Sequence, residues 1–342
     1  MKFINTINVS IYFKVSNLLR PFMDDLQNLA LFVNAYFELC AFNNFVLNKS
    51  MSKLVQKDTS ILKSGKVISD YLFKSDFYEI KTWAFDFGID KSKAKGNNDC
   101  FCVIFMRTGN FGFDAMKDTY AMHNGHLLIV KPDYEYLLHP NIGRCSILNF
   151  TIDFYHQLID DLNLKYAYFF GNPNLQSLIQ KSSPEMEYLH YQILKNTGSG
   201  KLIMDNIIIE LLKLVVNSIT TPAINDEINF SSKKFHLSTI EKAKDYMNEN
   251  FDSDISLFEI SSYACVSPFH FSRIFKTFTS YSPHQYLQNI RIKHGEMLLK
   301  NSSASITEVS IQAGFASVEY FATAFRQKYH VSPTGFRKRY RA

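Results

Sequence analysis

Residues 305–333 read SITEVSIQAGFASVEYFATAFRQKYHVSP, and this stretch decides how the C-terminal third is built. Ser305 followed by Glu308 is a capping box: the serine oxygen accepts from a free amide of the first turn, and the glutamate reaches back. Val309, Ile311 and Ala313 give the short helix its apolar positions. Gly314 makes the turn, because glycine enters the positive-φ region without a steric penalty. A second helix follows with Tyr320, Phe321, Ala324 and Phe325 at three- and four-residue steps. Tyr329 and the pair Ser332-Pro333 close the unit.

The same arrangement stands about fifty residues earlier. Ser256-Leu257-Phe258-Glu259 repeats the capping box. That helix ends near Ala264, and Pro268 opens the next at a favoured early position. Phe269, Phe271, Ile274, Phe275 and Phe278 follow, then Ser282-Pro283. A duplicated short helix, turn and longer helix is much more specific than one helix-turn-helix match. Leu237 to Asn250 reads as a further helix, with Ile240, Ala243, Tyr246 and Met247 on its apolar face.

Charge follows the same division. Residues 231–342 carry 15 Lys and Arg against 9 Asp and Glu, while the other 230 residues carry 22 against 23. The excess positive charge of the whole chain, +5, therefore lies in the repeat-bearing third. A basic segment beside a neutral one points to an anionic partner, nucleic acid first, with a solvated charged face as the alternative.

The run Ile311 to Arg326, followed by Ser332-Pro333 and Phe336-Arg337, resembles the signature of the AraC/XylS family of regulators. The first copy resembles it through Leu257, Ala264, Ser267, Phe271, Arg273, Phe275 and Lys276. The resemblance covers about 105 residues. It implies seven helices, with two helix-turn-helix units (about 256–278 and 305–329) joined by a long helix. It also implies a bacterial, cytoplasmic transcription regulator, an activator by family habit. One departure is that Ser280 and His330 stand where the family often has glycine. A non-glycine residue in such a left-handed cap costs about 1 kcal/mol.

The joining helix, from about Pro283 to Lys300, is near 25 Å long at about 1.5 Å per residue. Leu287, Ile290, Met297 and Leu298 are expected to pack it between the units, leaving Arg291 and Lys293 free for other faces. Two recognition helices on such a rod can enter successive major grooves about 34 Å apart. By resemblance, Phe269, Ser272 and Arg273 face the bases from the first recognition helix. Arg273 can pair with the two acceptors on a guanine edge, or hold a phosphate. Lys276 reads as a phosphate contact, and His270 as either a DNA contact or a surface cap. The second recognition helix, Ser317 to Tyr329, turns Val318, Glu319, Ala322 and Thr323 outward by resemblance. Val318 or Ala322 can meet a thymine methyl, and Glu319 can accept from a cytosine amino group. Arg326 brings the positive charge, so this unit is expected to position more than it reads. Arg337, Lys338, Arg339 and Arg341 form a basic tail, either a phosphate clamp or a solvated end.

Ahead of this lies a different pattern. From about Phe77 to Phe154, short apolar runs such as Phe101 to Phe105 and Leu127 to Val130 alternate with turn signals such as Asn124-Gly125. They predict a sandwich or barrel. Asn124 to Pro132 resembles the turn, strand and proline segment of the jelly-roll sensor domain found ahead of this DNA-binding domain. The expected fold class is α+β: an N-terminal jelly-roll (cupin-like) β domain with helices, then an all-α domain of two helix-turn-helix units. The expected division is a leader at 1–75, a sensor and dimerisation domain at 76–222, a linker at 223–235 and the DNA-binding domain at 236–342.

The metal-binding members of that fold use a His-x-His pair with a Glu. Here His123 and His126 are three apart and read as facing opposite sides of a strand, with Glu135 and Tyr136 near where a further His belongs. No metal and no cofactor are expected. An apolar pocket for a small-molecule effector is expected, with dimerisation alone as the alternative. Leu202 to Val216 forms an apolar stripe, for a homodimer interface or for packing inside its own domain. Double-stranded DNA is the principal expected partner, with RNA polymerase beside it. The five cysteines are odd in number and scattered, which excludes a disulfide framework. Leu29 to Leu47 is interrupted by Asn34, Glu38, Asn43 and Asn44, so no membrane span is expected. Met51 is a candidate second translation start. Neither a Gly-x-Ser-x-Gly elbow nor metal-oxygenase ligands are present, so no enzyme is expected. The other readings are an architectural DNA-binding protein with little sequence preference, and a cupin-type enzyme fused to a DNA-binding domain.

Overall fold

The computed structural model describes residues 67–86, 94–115, 118–139, 142–219 and 236–341. The apolar stretch at 29–47, Met51 and the linker at 223–235 lie outside the described residues.

The described residues from Val67 to Ile219 form antiparallel β-structure followed by helices. The strands are β1 (Val67–Lys74), β2 (Tyr78–Asp86), β3 (Ala94–Asn98), β4 (Phe101–Ala115), β5 (Asp118–His123), β6 (His126–Val130), β7 (Tyr134–His139), β8 (Ile142–Phe150) and β9 (Ser177–Lys181). One sheet runs β1-β2-β8-β4-β6-β9. The far half of β4 leaves it to pair with β5 and β7, and β7 pairs with β3. β4 thus belongs to two antiparallel layers.

Alternation along β4 assigns each face its neighbour. Cys102 and Met106, with Leu128, Val130, Cys145 and Ile147, meet Phe111 and Met122 of the second layer. Phe101, Val103 and Phe105 point the other way, with Leu127, Ile129, Leu148 and Phe150, against three helices. These helices are α1 (Ile152–Asp161), α2 (Pro184–Lys195) and α3 (Lys201–Ile219). The main sheet is therefore covered on both sides.

Two strands lie outside the expected β region. β1 falls in the segment read as leader, and β9 lies past Phe154, the expected end of the strand-like region. Both are edge strands. Tyr71 is 63% exposed, and the five residues of β9 are too few to show a period of two. A further correction concerns the histidines. His123 ends β5 and His126 begins β6, so they face each other across the Asn124-Gly125 turn with ring centroids 3.9 Å apart.

The second half is helical: α4 (Leu237–Asn250), α5 (Leu257–Tyr263), α6 (Pro268–Thr279), α7 (Pro283–Asn301), α8 (Ile306–Gln312), α9 (Val318–Tyr329) and α10 (Pro333–Arg341). The fold class is α+β, and seven helices are described from 236 to 341. Local chemistry sets their ends. Ser256, Ser282 and Ser305 make full capping boxes, and Pro268, Pro283 and Pro333 open their helices. α6 and α9 end on Ser280 and His330 in the left-handed conformation, at φ +66° and +58°.

The two units are buried differently. Phe271, Ile274, Phe275 and Phe278 of α6 belong to the same apolar cluster as the sheet and its helices. Val309, Ala313, Phe315, Phe321, Ala324 and Phe325 form a separate cluster around Ile292 and Leu299 of α7. Leu287 and Ile290 of α7 join the first cluster, so the joining helix serves both cores.

Candidate nucleic-acid interface

Each helix-turn-helix unit carries its longer helix with one face in the core and one outside. On α6 the buried positions are Phe271, Ile274, Phe275 and Phe278. Burying side chains of this size stabilises by about 1.5–3 kcal/mol each, which fixes the rotation of the helix about its axis. Phe269, Arg273 and Lys276 are then left exposed, with Ser272 half-buried between them. Phe269 is 83% exposed, a large apolar ring in water at the start of the helix. His270 is half-buried, its ring 5.4 Å from that of His236.

On α9 the buried positions are Phe321, Ala324 and Phe325. Ser317, Glu319, Thr323 and Arg326 are exposed, and Val318 and Ala322 half-buried. Ser317 is already engaged, since its hydroxyl accepts from the Tyr320 N–H at 3.1 Å and caps the helix. The expected outward residues of each helix thus share one face at three- and four-residue spacing. Tyr320 joins the second group. It is 41% exposed, and its hydroxyl receives Gln288 Nε2 at 3.1 Å from the joining helix.

The turn in the second unit admits only glycine. Gly314 has φ +76°, and a Cβ there would stand 2.4 Å from the Phe251 carbonyl. This close approach seats the second unit on the loop after α4. Arg291 of α7 donates to the same carbonyl at 2.7 Å and to the Ser253 carbonyl at 2.7 Å.

The expectation that Arg291 and Lys293 remain free is therefore corrected. Lys293 is buried, 3.0 Å from Glu210 of α3 and 2.8 Å from Glu296. The two residues point to nearly opposite sides of the rod, Arg291 to the loop after α4 and Lys293 to α3, and a helical wheel of α7 alone shows neither partner. Lys300 completes the cluster at 3.0 Å from Glu210 and 2.6 Å from Glu296. Burial alone raises the Glu210 carboxyl, but Lys293 and Lys300 outweigh it and hold it down at about 2. Burial drives the His294 imidazole down to about 4, and the Tyr188 hydroxyl and the imidazole Nδ1 share a hydrogen bond at 2.5 Å.

The front part reaches α4 as well. Buried Lys244 joins Glu187 of α2 at 3.1 Å and Asn124 Oδ1 at 2.9 Å, in the β5–β6 turn. Glu241 accepts from the Gly109 N–H at 3.1 Å. The apolar stripe of α3 is largely internal: Ile207, Ile208, Leu211, Leu212 and Val215 are buried, while Leu202, Ile203 and Ile209 are exposed. Among the described residues, no group of three or more His, Cys, Asp or Glu is arranged to hold a metal. No described helix is long and apolar enough to cross a membrane.

Glu185 and Glu210 were invisible as partners of this domain. They meet Lys328 and Lys293 at separations of 143 and 83 residues, beyond any local pattern.

Residues 260–339 match a family described as a helix-turn-helix domain. The chain is 28% identical over 160 residues to the regulatory protein PocR of Salmonella typhimurium, covering 46% of this chain and 52% of that protein. It is 42% identical over 66 residues to the HTH-type transcriptional regulator MtrA of Neisseria gonorrhoeae, covering 19% of this chain and 22% of that protein. Among solved structures it is similar to the DNA-binding domain of AdpA in complex with a target DNA. That match has 26% identity and a TM-score of 0.30, over 30% of this chain and 94% of that one. The chain spans about half the length of PocR.

Proposed function

The C-terminal domain of this chain belongs to the AraC/XylS family, and from that premise we propose that the protein is a sequence-specific transcription regulator reading two adjacent major grooves. The observation that carries this reading is the shared outward face of each recognition helix. Phe269, Ser272, Arg273 and Lys276 stand on one helix, and Val318, Glu319, Ala322, Thr323 and Arg326 on the other. Each face lies opposite a fully packed apolar one. Neither outward face is needed for folding, so its residues are free to be chosen for contact.

The roles differ by chemistry. Arg273 supplies a planar fork for a guanine edge, and Lys276 a point charge for phosphate. Glu319 accepts from cytosine, while Val318 and Ala322 offer methyl-sized apolar contacts. Ser317 and His270, engaged at a cap and beside His236, contribute from the edge. The residues of 76–222 serve as a sensor for a small-molecule effector and as a dimerisation domain. Leu202, Ile203 and Ile209, exposed on α3, support a homodimer contact. Bound in this way, the protein recruits RNA polymerase as an activator.

Selection of bound duplexes from a random DNA pool tests the reading. A regulator enriches a defined site of two half-sites about one helical turn apart. Enrichment of no sequence, with binding that weakens uniformly with salt, is the mark of a module held by phosphate contacts alone.

A further inference from the structure

Two carboxylates of the front half reach the second recognition helix by separate routes. Glu185 Oε1, on α2, lies 2.5 Å from Lys328 Nζ on α9. Glu210, on α3, takes both Lys293 and Lys300 of the joining helix. The same two lysines hold Glu296, and Glu296 Oε2 accepts the Tyr329 hydroxyl at 2.7 Å. Lys328 and Tyr329 are the last two residues of α9, so both routes end at the same point. Relative exposures of 3% for Lys293, 7% for Glu296 and 13% for Glu210 put this cluster largely out of water.

The first unit is held by other means, since its recognition helix shares an apolar cluster with the sheet. Apolar contact is non-directional. Charge-assisted hydrogen bonds are directional, and strong where water is scarce. We propose that Glu185 and Glu210 are positioning residues for DNA reading: they set the pose of the second recognition helix relative to the first, and thereby the half-site spacing the protein accepts. This rests on the two-groove reading above. Neither carboxylate touches DNA in this account; each acts through Lys328, Tyr329 and the joining helix.

The test uses full-length chains: wild type, Glu210→Gln, Lys328→Gln and the exchange Glu185→Lys with Lys328→Glu. Each is titrated against three duplexes: the selected site, that site with half a helical turn (about five base pairs) inserted between half-sites, and a duplex carrying the first half-site alone. Wild type is expected to prefer the native spacing by about 100-fold, because a rigidly linked second unit loses its contribution when geometry forbids it. Glu210→Gln and Lys328→Gln are expected to reduce that preference about tenfold while first-half-site affinity stays as in wild type. The exchanged pair restores the preference, which a general loss of packing does not do. Lys328, 41% exposed, keeps the test decisive if the Glu210→Gln change weakens folding. Unchanged spacing preference in Lys328→Gln and Glu210→Gln, with a wild-type site in hand, overturns the positioning role and leaves the two-groove reading standing. A wild type that selects no site overturns both.

Discussion

Gly295 of the joining helix and Phe321 of the second recognition helix meet so closely that a Cβ on the glycine would stand 2.7 Å from the ring carbon Cε2. Phe321 is fully buried, with Phe315 and Phe325 against it. Alanine at position 295 gains about 1 kcal/mol in helix propensity but forces the ring out of its packed place, at about 1–3 kcal/mol. Gly295→Ala is therefore expected to lower stability by up to about 2 kcal/mol. Denaturant unfolding measures it, and a variant about 1 kcal/mol more stable than wild type means that the ring moves aside without cost.

Ser280 and His330 hold left-handed backbone that suits glycine. The side chains make little use of the positions: His330 is exposed, and among the described residues Ser280 Oγ accepts from Lys181 Nζ alone, at 3.4 Å. Ser280→Gly and His330→Gly are each expected to raise stability by a few tenths to about 1 kcal/mol, strain relief outweighing the added freedom of the unfolded chain. The melting temperature of the double variant reads the sum, and a decrease contradicts the assignment.

Glu241 makes the contact between α4 and β4 dependent on pH. Burial pushes its carboxyl up to about 7, although the Gly109 N–H favours the charged form. A folded-state value raised above the unfolded one means that this stabilisation is complete below about pH 4.5 and is lost as pH rises through about 7. Glu241→Gln cannot ionise and still accepts from Gly109. It is expected to exceed wild type by on the order of 1–2 kcal/mol at about pH 8, with the gap closing towards about pH 5. Parallel unfolding at the two pH values decides it, and a gap that does not change with pH removes Glu241 from the account.

Much of the C-terminal half could be read directly. Ser256, Ser305, Pro268, Pro283 and Gly314 act within a few residues of themselves, so the helix starts at Leu257, Pro268, Pro283 and Ile306 follow from local chemistry. The outward faces followed too, because burial of Phe271 and Phe321 leaves their helices a single orientation. What escaped was non-local. Edge strands β1 and β9 carry half-exposed patterns without a clear period. His123 and His126 read as one strand by spacing, although a turn separates them. Lys293 reads as a surface lysine until Glu210 is brought to it from α3.

The central claim is that the two recognition helices hold adjacent grooves and that Arg273 reads a base. Hydroxyl-radical footprinting on the selected site, with wild type and Arg273→Ala in parallel, tests it most directly. The account predicts two protected stretches about one helical turn apart. It also predicts that Arg273→Ala loses discrimination at one base of one stretch, by about 1–3 kcal/mol, while both stretches stay protected. A single protected stretch, or an Arg273→Ala variant that weakens equally on every sequence, contradicts it.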